Sequence, residues 1–121
     1  MTNAAAILAV DTNRRNLDLL AQQLGNAGYE TRAAGSLEEI DEEINGASQI
    51  GVALIDISGF DERIWERCER LRDGRVPFVV LTQQRSPAAQ REGLRHGAST
   101  IAVKPLRIPD LLEFIRTLLE T

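Results

Sequence analysis

The chain has 121 residues, of which 43% are hydrophobic and 26% are charged, and its formal net charge is -4 at pH 7. This length predicts a single globular domain over residues 1–121, with about two thirds of the unfolded chain's surface buried. The acidic balance argues against direct binding of nucleic acid, because proteins that bind nucleic acid present a basic surface.

The sequence also lacks the signals of two other classes of protein. One cysteine, Cys68, and one histidine cannot form an internal disulfide framework or a cysteine–histidine metal cluster. Cys68 is expected to be a small core residue. No apolar run approaches the roughly 20 residues that cross a bilayer, and the first residues lack the pattern of a signal peptide. We therefore expect a cytoplasmic protein without membrane contact.

The first predicted elements are a strand, a helix and an edge strand. Small and aliphatic residues from 4 to 10 predict the first strand, which ends at Asp11. Apolar residues then recur at helical spacing until Gly28, a residue typical of helix ends. The segment 29–34 has some strand character but is polar, which is typical of the edge of a sheet.

A second helix and a third strand follow. Ser36 and Glu39 have the spacing of a capping box, in which a serine side chain caps the helix that it precedes. The run 50–58 is apolar for most of its length without polar alternation, as in a strand buried on both faces of a parallel sheet. Its apolar part ends on Asp56, which is either a turn or cap residue or part of a functional site.

The second half of the chain continues the alternation. Asp61 is a candidate cap for a third helix that Gly74 ends. Residues 78–82 form another apolar run, and it also stops at a polar residue, Thr82. This fourth strand therefore repeats the pattern of the third.

The last elements are a helix, a strand and a helix. Ser86 and Pro87 are typical of a helix start, and Gly97 suits a left-handed residue at the end of that fourth helix. Residues 99–103 predict a fifth strand. Pro109 opens a last helix, which has a continuous apolar face.

Five strands that alternate with five helices predict a doubly wound α/β fold. Parallel strands need right-handed crossovers, which place helices on both faces of one sheet. If the strand order reverses beside the first strand, the polar residues that end four of the strands emerge at the same carboxyl edge. These residues are Asp11, Asp56, Thr82 and Lys104.

Two carboxylates, a hydroxyl and an ammonium group in one cleft suit phosphoryl transfer, in which catalysis is mostly positioning and charge neutralisation. Asp56 is the candidate nucleophile, because a carboxylate can form an acyl phosphate. Mg²⁺ is the candidate metal, with Asp11, Asp56 and the backbone carbonyl of Ser58 as ligands. Lys104 and Thr82 are suited to bind phosphoryl oxygens.

Four segments of the chain resemble the receiver domain of two-component response regulators. They are Ile7-Leu-Ala-Val-Asp11, Val52-Ala-Leu-Ile-Asp56, Val79-Val-Leu-Thr82, and Gly97-Ala98 followed by Val103-Lys104-Pro105. The resemblance covers essentially the whole chain, and the segments occur in the order and spacing of the family. It implies a five-stranded parallel sheet in the flavodoxin-like (CheY-like) order 2-1-3-4-5.

The resemblance further implies a phosphorylation switch. A partner histidine kinase or phosphotransfer protein would donate a phosphoryl group to Asp56 with Mg²⁺ present, and the receiver would catalyse this transfer itself. Thr82 would move towards the phosphoryl group and Lys104 would bridge to it. The fourth helix, fifth strand and fifth helix would repack into a face that binds an output domain, a downstream protein or a second copy of the chain. The bond from Lys104 to Pro105 is usually cis in such domains.

Four residues depart from the pattern of the family. Thr12 stands where a second acid normally contacts the metal, so we expect weaker Mg²⁺ binding and a role for Thr12 in capping the first helix. Gln83 replaces a small residue and is expected to crowd the phosphoryl site. Ile101 replaces an aromatic residue that commonly couples the switch to the surface, and Phe60 replaces a proline.

Other interpretations stay open from the sequence. One is a pseudo-receiver, a protein-interaction module that keeps the fold but no longer cycles phosphate. An Asp-nucleophile phosphatase is disfavoured because Ser58 stands where that class has a second aspartate. A flavin-binding domain is disfavoured because no phosphate loop follows the first strand. Outside the cleft, Trp65 is expected to be a half-buried packing residue, and His96 an exposed residue without a chemical role.

Overall fold

A computed structural model of the chain describes residues 5–46, 49–83 and 86–120 and contains one parallel sheet. Within these residues the strands are β1 (Ala6–Val10), β2 (Thr31–Ala34), β3 (Ile50–Asp56), β4 (Phe78–Thr82) and β5 (Thr100–Val103). Neighbouring strands run parallel in the order β2-β1-β3-β4-β5. The predicted doubly wound fold and its strand order are therefore confirmed. Residue 4, the predicted start of the first strand, lies outside the described residues.

Each strand is followed by a helix. The helices in the described part of the chain are α1 (Arg14–Asn26), α2 (Leu37–Asn45), α3 (Arg63–Asp73), α4 (Pro87–Arg95) and α5 (Ile108–Leu119). None of these helices is long and apolar enough to span a bilayer.

The sheet separates two hydrophobic clusters. One lies beneath α2 and α3 and includes Cys68 and Phe78, and the other lies beneath α1 and α5 and includes Ile115. In β1, Ile7 joins the second cluster and Leu8 the first, because successive side chains of a strand point to opposite faces. Burial on both faces explains why β3 and β4 have continuous apolar sequences. Cys68 is fully buried, which confirms it as a small core residue, and this burial raises the pKa of its thiol to about 12.

Two predicted serine caps are confirmed. The Ser36 hydroxyl oxygen accepts a hydrogen bond from the Glu39 N–H at 3.1 Å. At the start of α4, Ser86 accepts one from the N–H three residues further on, at 3.2 Å. The reciprocal half of the capping box is absent at Ser36, since the Glu39 carboxylate accepts from the Gly35 N–H at 2.6 Å instead.

The ends of α3 differ in detail from the prediction. The helix begins at Arg63, and Asp61 lies before it, where its carboxylate accepts from the Arg63 N–H at 2.9 Å in a turn. Gly74 ends α3 as predicted, with φ of -82°, but the left-handed residue is the following Arg75, with φ of 62°. Gly97 has the predicted left-handed conformation after α4, with φ of 101°.

Candidate functional site

The carboxyl edge of the sheet brings together the four polar residues that the sequence singled out. Asp56 and Thr82 are the last residues of adjacent strands, β3 and β4. Asp11 follows β1 and Lys104 follows β5 directly. Their convergence comes from the parallel order of the strands, because every carboxyl end points to the same side.

Asp56 is the buried acid of this edge, with 2% of its surface exposed. One carboxylate oxygen accepts a hydrogen bond from the Ser58 N–H at 2.9 Å. The other oxygen accepts from the Lys104 ammonium group, with which it also forms an ion pair. A buried charge needs this pairing, since an isolated carboxylate in such a place is strongly disfavoured.

Lys104 is positioned by the end of β5 and the turn after it. Its N–H donates to the Thr82 carbonyl at 2.8 Å, which extends the pairing of β4 and β5 by one residue. The bond to Pro105 is cis, as the resemblance implied. Thr82 is buried, with 8% of its surface exposed, on the strand between Asp56 and Lys104.

Asp11 is the second acid of the edge. Its pKa is raised above the ordinary value, chiefly because burial disfavours the charged form. The N–H of Asn13 lowers the pKa by donating to the carboxylate at 2.9 Å, and the negative charge of Asp56 raises it further. The two carboxylates therefore repel one another, and the ammonium group of Lys104 pairs with only one of them.

The prediction that Thr12 caps α1 is wrong. The cap is Asn13, whose side chain accepts from the Asn16 N–H at 3.0 Å. The Thr12 hydroxyl instead donates to the backbone carbonyl of Ser58 at 3.1 Å. The side chain is drawn across to the loop after β3, because that loop passes close to the end of β1.

The loop after β3 is built for this close approach. Phe60 N–H donates to the Ile57 carbonyl at 3.2 Å, and Gly59 between them has φ of 84°. A side chain at Gly59 would place its Cβ against the Thr12 hydroxyl oxygen, closer than real Cβ atoms come, and 3.2 Å from the Thr12 Cβ. Phe60, which stands where the family pattern has a proline, packs against the cluster beneath α2 and α3, so its ring anchors the loop.

The donor set of this edge fits a hard divalent cation with two carboxylates rather than three. Asp11 and Asp56 repel one another, and a cation between them would relieve this repulsion. Among the described residues, no three or more histidine, cysteine or acidic side chains are grouped closely enough to hold a metal. The Ser58 carbonyl faces the same edge, but it already accepts a hydrogen bond from Thr12.

A groove of about 710 Å³ leads away from the acids. Its lining includes Asp11, Asp56, Lys104 and the exposed Gln83. The rest of the lining comes mainly from α1 and from the segment that leads into α5, and it is mostly apolar, with Leu19 53% exposed. A charged mouth therefore adjoins an apolar surface on the same face of the molecule.

The prediction that His96 is an exposed residue is wrong. Its side chain is only 16% exposed and lies in a stack with Trp65, with ring centroids 5.5 Å apart. The predicted half-buried position of Trp65 is confirmed. Sequence periodicity misses this contact, because the two rings belong to different helices and neither lies on a buried stripe.

Similar folds are found in solved structures of response regulators. A receiver domain protein (CheY-like) of Methanospirillum hungatei has 29% identity and a TM-score of 0.87, over 98% of this chain and 95% of that chain. The chemotaxis protein CheY4 of Vibrio cholerae has 25% identity and a TM-score of 0.81, over 96% and 99%. A response regulator of Burkholderia pseudomallei, with a phosphorylated aspartic acid, a calcium ion and citrate, has 26% identity and a TM-score of 0.76, over 89% and 64%.

The fold and its polar edge thus define a CheY-like protein. The family model described as the response regulator receiver domain matches residues 7–116. The chain belongs to this family of two-component systems. No curated protein sequence matches it significantly. Receiver domains as a class interact with histidine kinases and with output domains, and they generally bind Mg²⁺.

Proposed function

We propose that the chain is a phosphoacceptor domain that is phosphorylated on Asp56 by a partner histidine kinase or phosphotransfer protein. The observation that carries the proposal is the environment of this carboxylate. It is buried at the mouth of a groove and held by the Lys104 ammonium group and the Ser58 N–H. The phosphorylated aspartic acid in the similar regulator of Burkholderia pseudomallei supports this reading.

The reaction is a transfer between two nucleophiles. A carboxylate oxygen of Asp56 attacks the phosphorus atom of the donor, the bond from phosphorus to the donor's nitrogen breaks, and an acyl phosphate forms. Lys104 lies against the attacking carboxylate, so its ammonium group balances the charge that arrives with the phosphoryl group. Thr82 ends the strand between them and is proposed to donate its hydroxyl to a phosphoryl oxygen.

Asp11, Asp56 and the Ser58 carbonyl are the proposed ligands of Mg²⁺. When bound there, the ion supplies positive charge that lowers the repulsion between the acids and the phosphoryl oxygens. Thr12 adds no charge to this set and engages the carbonyl. We therefore propose a site with weakened affinity for Mg²⁺.

The groove suggests how a phosphodonor protein docks. An apolar surface on α1, including Leu19, adjoins the mouth that holds Asp56. A partner helix with an apolar stripe and a phosphohistidine would cover the apolar surface and present its phosphoryl group to Asp56. We further propose that residues 1–121 act as one cytoplasmic domain. Its α4, β5 and α5 would form the face for an output domain, a downstream protein or a second copy.

A pseudo-receiver is the second candidate function. The hydrogen bond from Thr12 to Ser58 favours it, because a neutral hydroxyl of the chain itself engages the carbonyl that is the proposed third ligand of the metal. Such a module would bind partners without cycling phosphate.

Intact-mass measurement after incubation with Mg²⁺ and acetyl phosphate separates the two candidates. We expect the mass to increase by one phosphoryl group, and the added group to be lost at alkaline pH. Asp56→Asn should abolish this increase. Asp18→Asn, which removes an exposed carboxylate on α1, should not affect it. No increase at millimolar Mg²⁺, under conditions that label another receiver domain, would favour the pseudo-receiver.

A further inference from the structure

His96 joins the end of α4 to the side of α3. Its Nδ1 lies 2.5 Å from a carboxylate oxygen of Glu69 on α3. The ring stacks on Trp65, one turn earlier in α3, with an angle of 12° between the two planes. The backbone N–H of His96 donates to the Glu92 carbonyl at 3.0 Å, so the same residue ends α4. The contacts with Glu69 and Trp65 join the two helices, and the bond to Glu92 fixes His96 at the end of α4.

The charged groups around the ring belong to both helices. On α4, Glu92 places a carboxylate oxygen 3.8 Å from Nε2 and also pairs with Arg95 at 3.7 Å. On α3, Glu69 holds Nδ1. The Arg72 side chain lies against the position where Gly97 has no Cβ, and its guanidinium group pairs with Asp73 at 3.3 Å. The nearby Cys68 thiol is neutral because burial raises its pKa.

We propose that His96 is a proton-operated clamp between α3 and α4. In the neutral ring the proton sits on Nδ1, because the Glu69 carboxylate can only accept. A second proton gives the ring a positive charge between the carboxylates of Glu69 and Glu92. That charge also lies at the carboxyl end of α4, where the helix dipole favours a cation. The contact between the helices is therefore stronger when His96 is charged.

The clamp holds one particular end of α4. Further back in this helix, Gly93 lies against Ile101 of β5 so closely that a Cβ would come within 2.7 Å of the isoleucine side chain. The amino-terminal end of α4 is capped by Ser86, which follows closely after Thr82 and Gln83 at the carboxyl edge of the sheet. Protonation of His96 would thus strengthen the contact of α3 with the carboxyl end of α4. It would not act on the amino-terminal end of α4, which lies beside the acids. Its relevance to signalling rests on the proposed function, but the clamp itself does not.

Trp65 and His96 are the single tryptophan and the single histidine of the chain, which allows a direct test. Tryptophan emission is followed from pH 8 to pH 5 on the unphosphorylated protein, without Mg²⁺. A charged imidazole ring quenches a stacked indole more than a neutral one does. We therefore expect one sigmoidal decrease within the range in which histidine changes charge.

Three variants assign the transition. His96→Phe keeps a ring against Trp65 but has no titrating nitrogen, so its emission should not vary over this range. Glu69→Gln keeps a hydrogen-bond partner for the ring but removes the charge, so it should cost more stability against urea at pH 5 than at pH 8. Glu113→Gln removes a carboxylate on α5 that pairs with Arg116, and its curve should match that of the unmodified protein.

Three outcomes would overturn the proposal. One is emission that does not change between pH 8 and pH 5 in the unmodified protein. Another is a transition that persists in His96→Phe, which would assign it to carboxylates. The third is a Glu69→Gln variant that loses the same stability at pH 5 as at pH 8. Because no phosphodonor is present, failure here is distinct from failure of the phosphorylation experiment.

Discussion

The hydroxyl of Thr12 donates a hydrogen bond to the backbone carbonyl of Ser58, at 3.1 Å. This bond links the loop after β1 to the loop after β3, across the edge that carries both acids. The side chain of Thr12 is neutral, whereas the family pattern has a metal-binding carboxylate at this position. The two loops are consequently held together by a hydrogen bond within the chain. A cation bound at this edge would add to that contact and would not be needed to bring the loops together.

Replacement of Thr12 by aspartate should tighten Mg²⁺ binding. The new carboxylate adds a charged oxygen beside Asp11, which a hard cation prefers to a hydroxyl. We expect the dissociation constant, measured by isothermal titration calorimetry, to fall by about tenfold or more, which corresponds to about 1.4 kcal/mol. The asparagine of Thr12→Asn has nearly the same shape as aspartate but no charge, so this variant should bind Mg²⁺ as the unmodified protein does. Equal affinities for the two variants would contradict the charge argument.

Removal of the Thr12 hydroxyl should weaken the fold slightly. Thr12→Val keeps the shape of the side chain but leaves the Ser58 carbonyl without its donor. Since a net hydrogen bond contributes about 1 kcal/mol, and this one is exposed, we expect a loss of about 0.5 to 1 kcal/mol in the free energy of unfolding by urea. Thr12→Ser keeps the hydroxyl and should lose less. If the serine variant lost as much free energy of unfolding as the valine variant, the methyl group of Thr12 beside Gly59 would contribute more than the hydroxyl.

Lys104 and Asp56 should be energetically coupled. Lys104→Met leaves the Asp56 carboxylate buried and without its counter-charge. We expect a loss of about 2 kcal/mol, less than for a fully buried pair because Lys104 is 25% exposed. Combining it with Asp56→Asn should recover much of that loss, since no charge then remains buried. A double-mutant cycle in urea at pH 7 measures the coupling, and purely additive losses would refute it.

Asp11 should destabilise the protein at neutral pH in the absence of a cation. Its pKa is raised on folding, chiefly by burial, so the stability it contributes is present below the unfolded value near 3.8 and is lost as the pH rises through the folded value. Asp11→Asn should therefore be more stable than the unmodified protein at pH 7, by about 0.5 kcal/mol. The difference should vanish near pH 3.

Mg²⁺ provides a separate check on the same residue. Millimolar Mg²⁺ should raise the melting temperature of the unmodified protein, because the ion binds only the folded state. It should leave Asp11→Asn unaffected if this carboxylate is a ligand. An equal rise in both proteins would remove Asp11 from the proposed metal site.

Most of the fold could be predicted because its signals are local. The apolar run of β3, the cap at Ser36 and the left-handed Gly97 each depend on a few consecutive residues. Errors occurred where the geometry of a turn mattered, as at the left-handed Arg75. The convergence of the four polar residues at the carboxyl edge of the sheet was also predictable, because parallel strands bring their carboxyl ends together.

The sequence by itself determined the alternation of strands and helices and the polar residue at each strand end, since periodicity and capping act over a few positions. The tertiary structure alone decided the distant partners of side chains, among them those of Thr12 and His96. Thr12 bonds to a carbonyl 46 positions away, and His96 to a carboxylate 27 positions away. No local pattern records such contacts, because they depend on how loops and helices from distant parts of the chain meet.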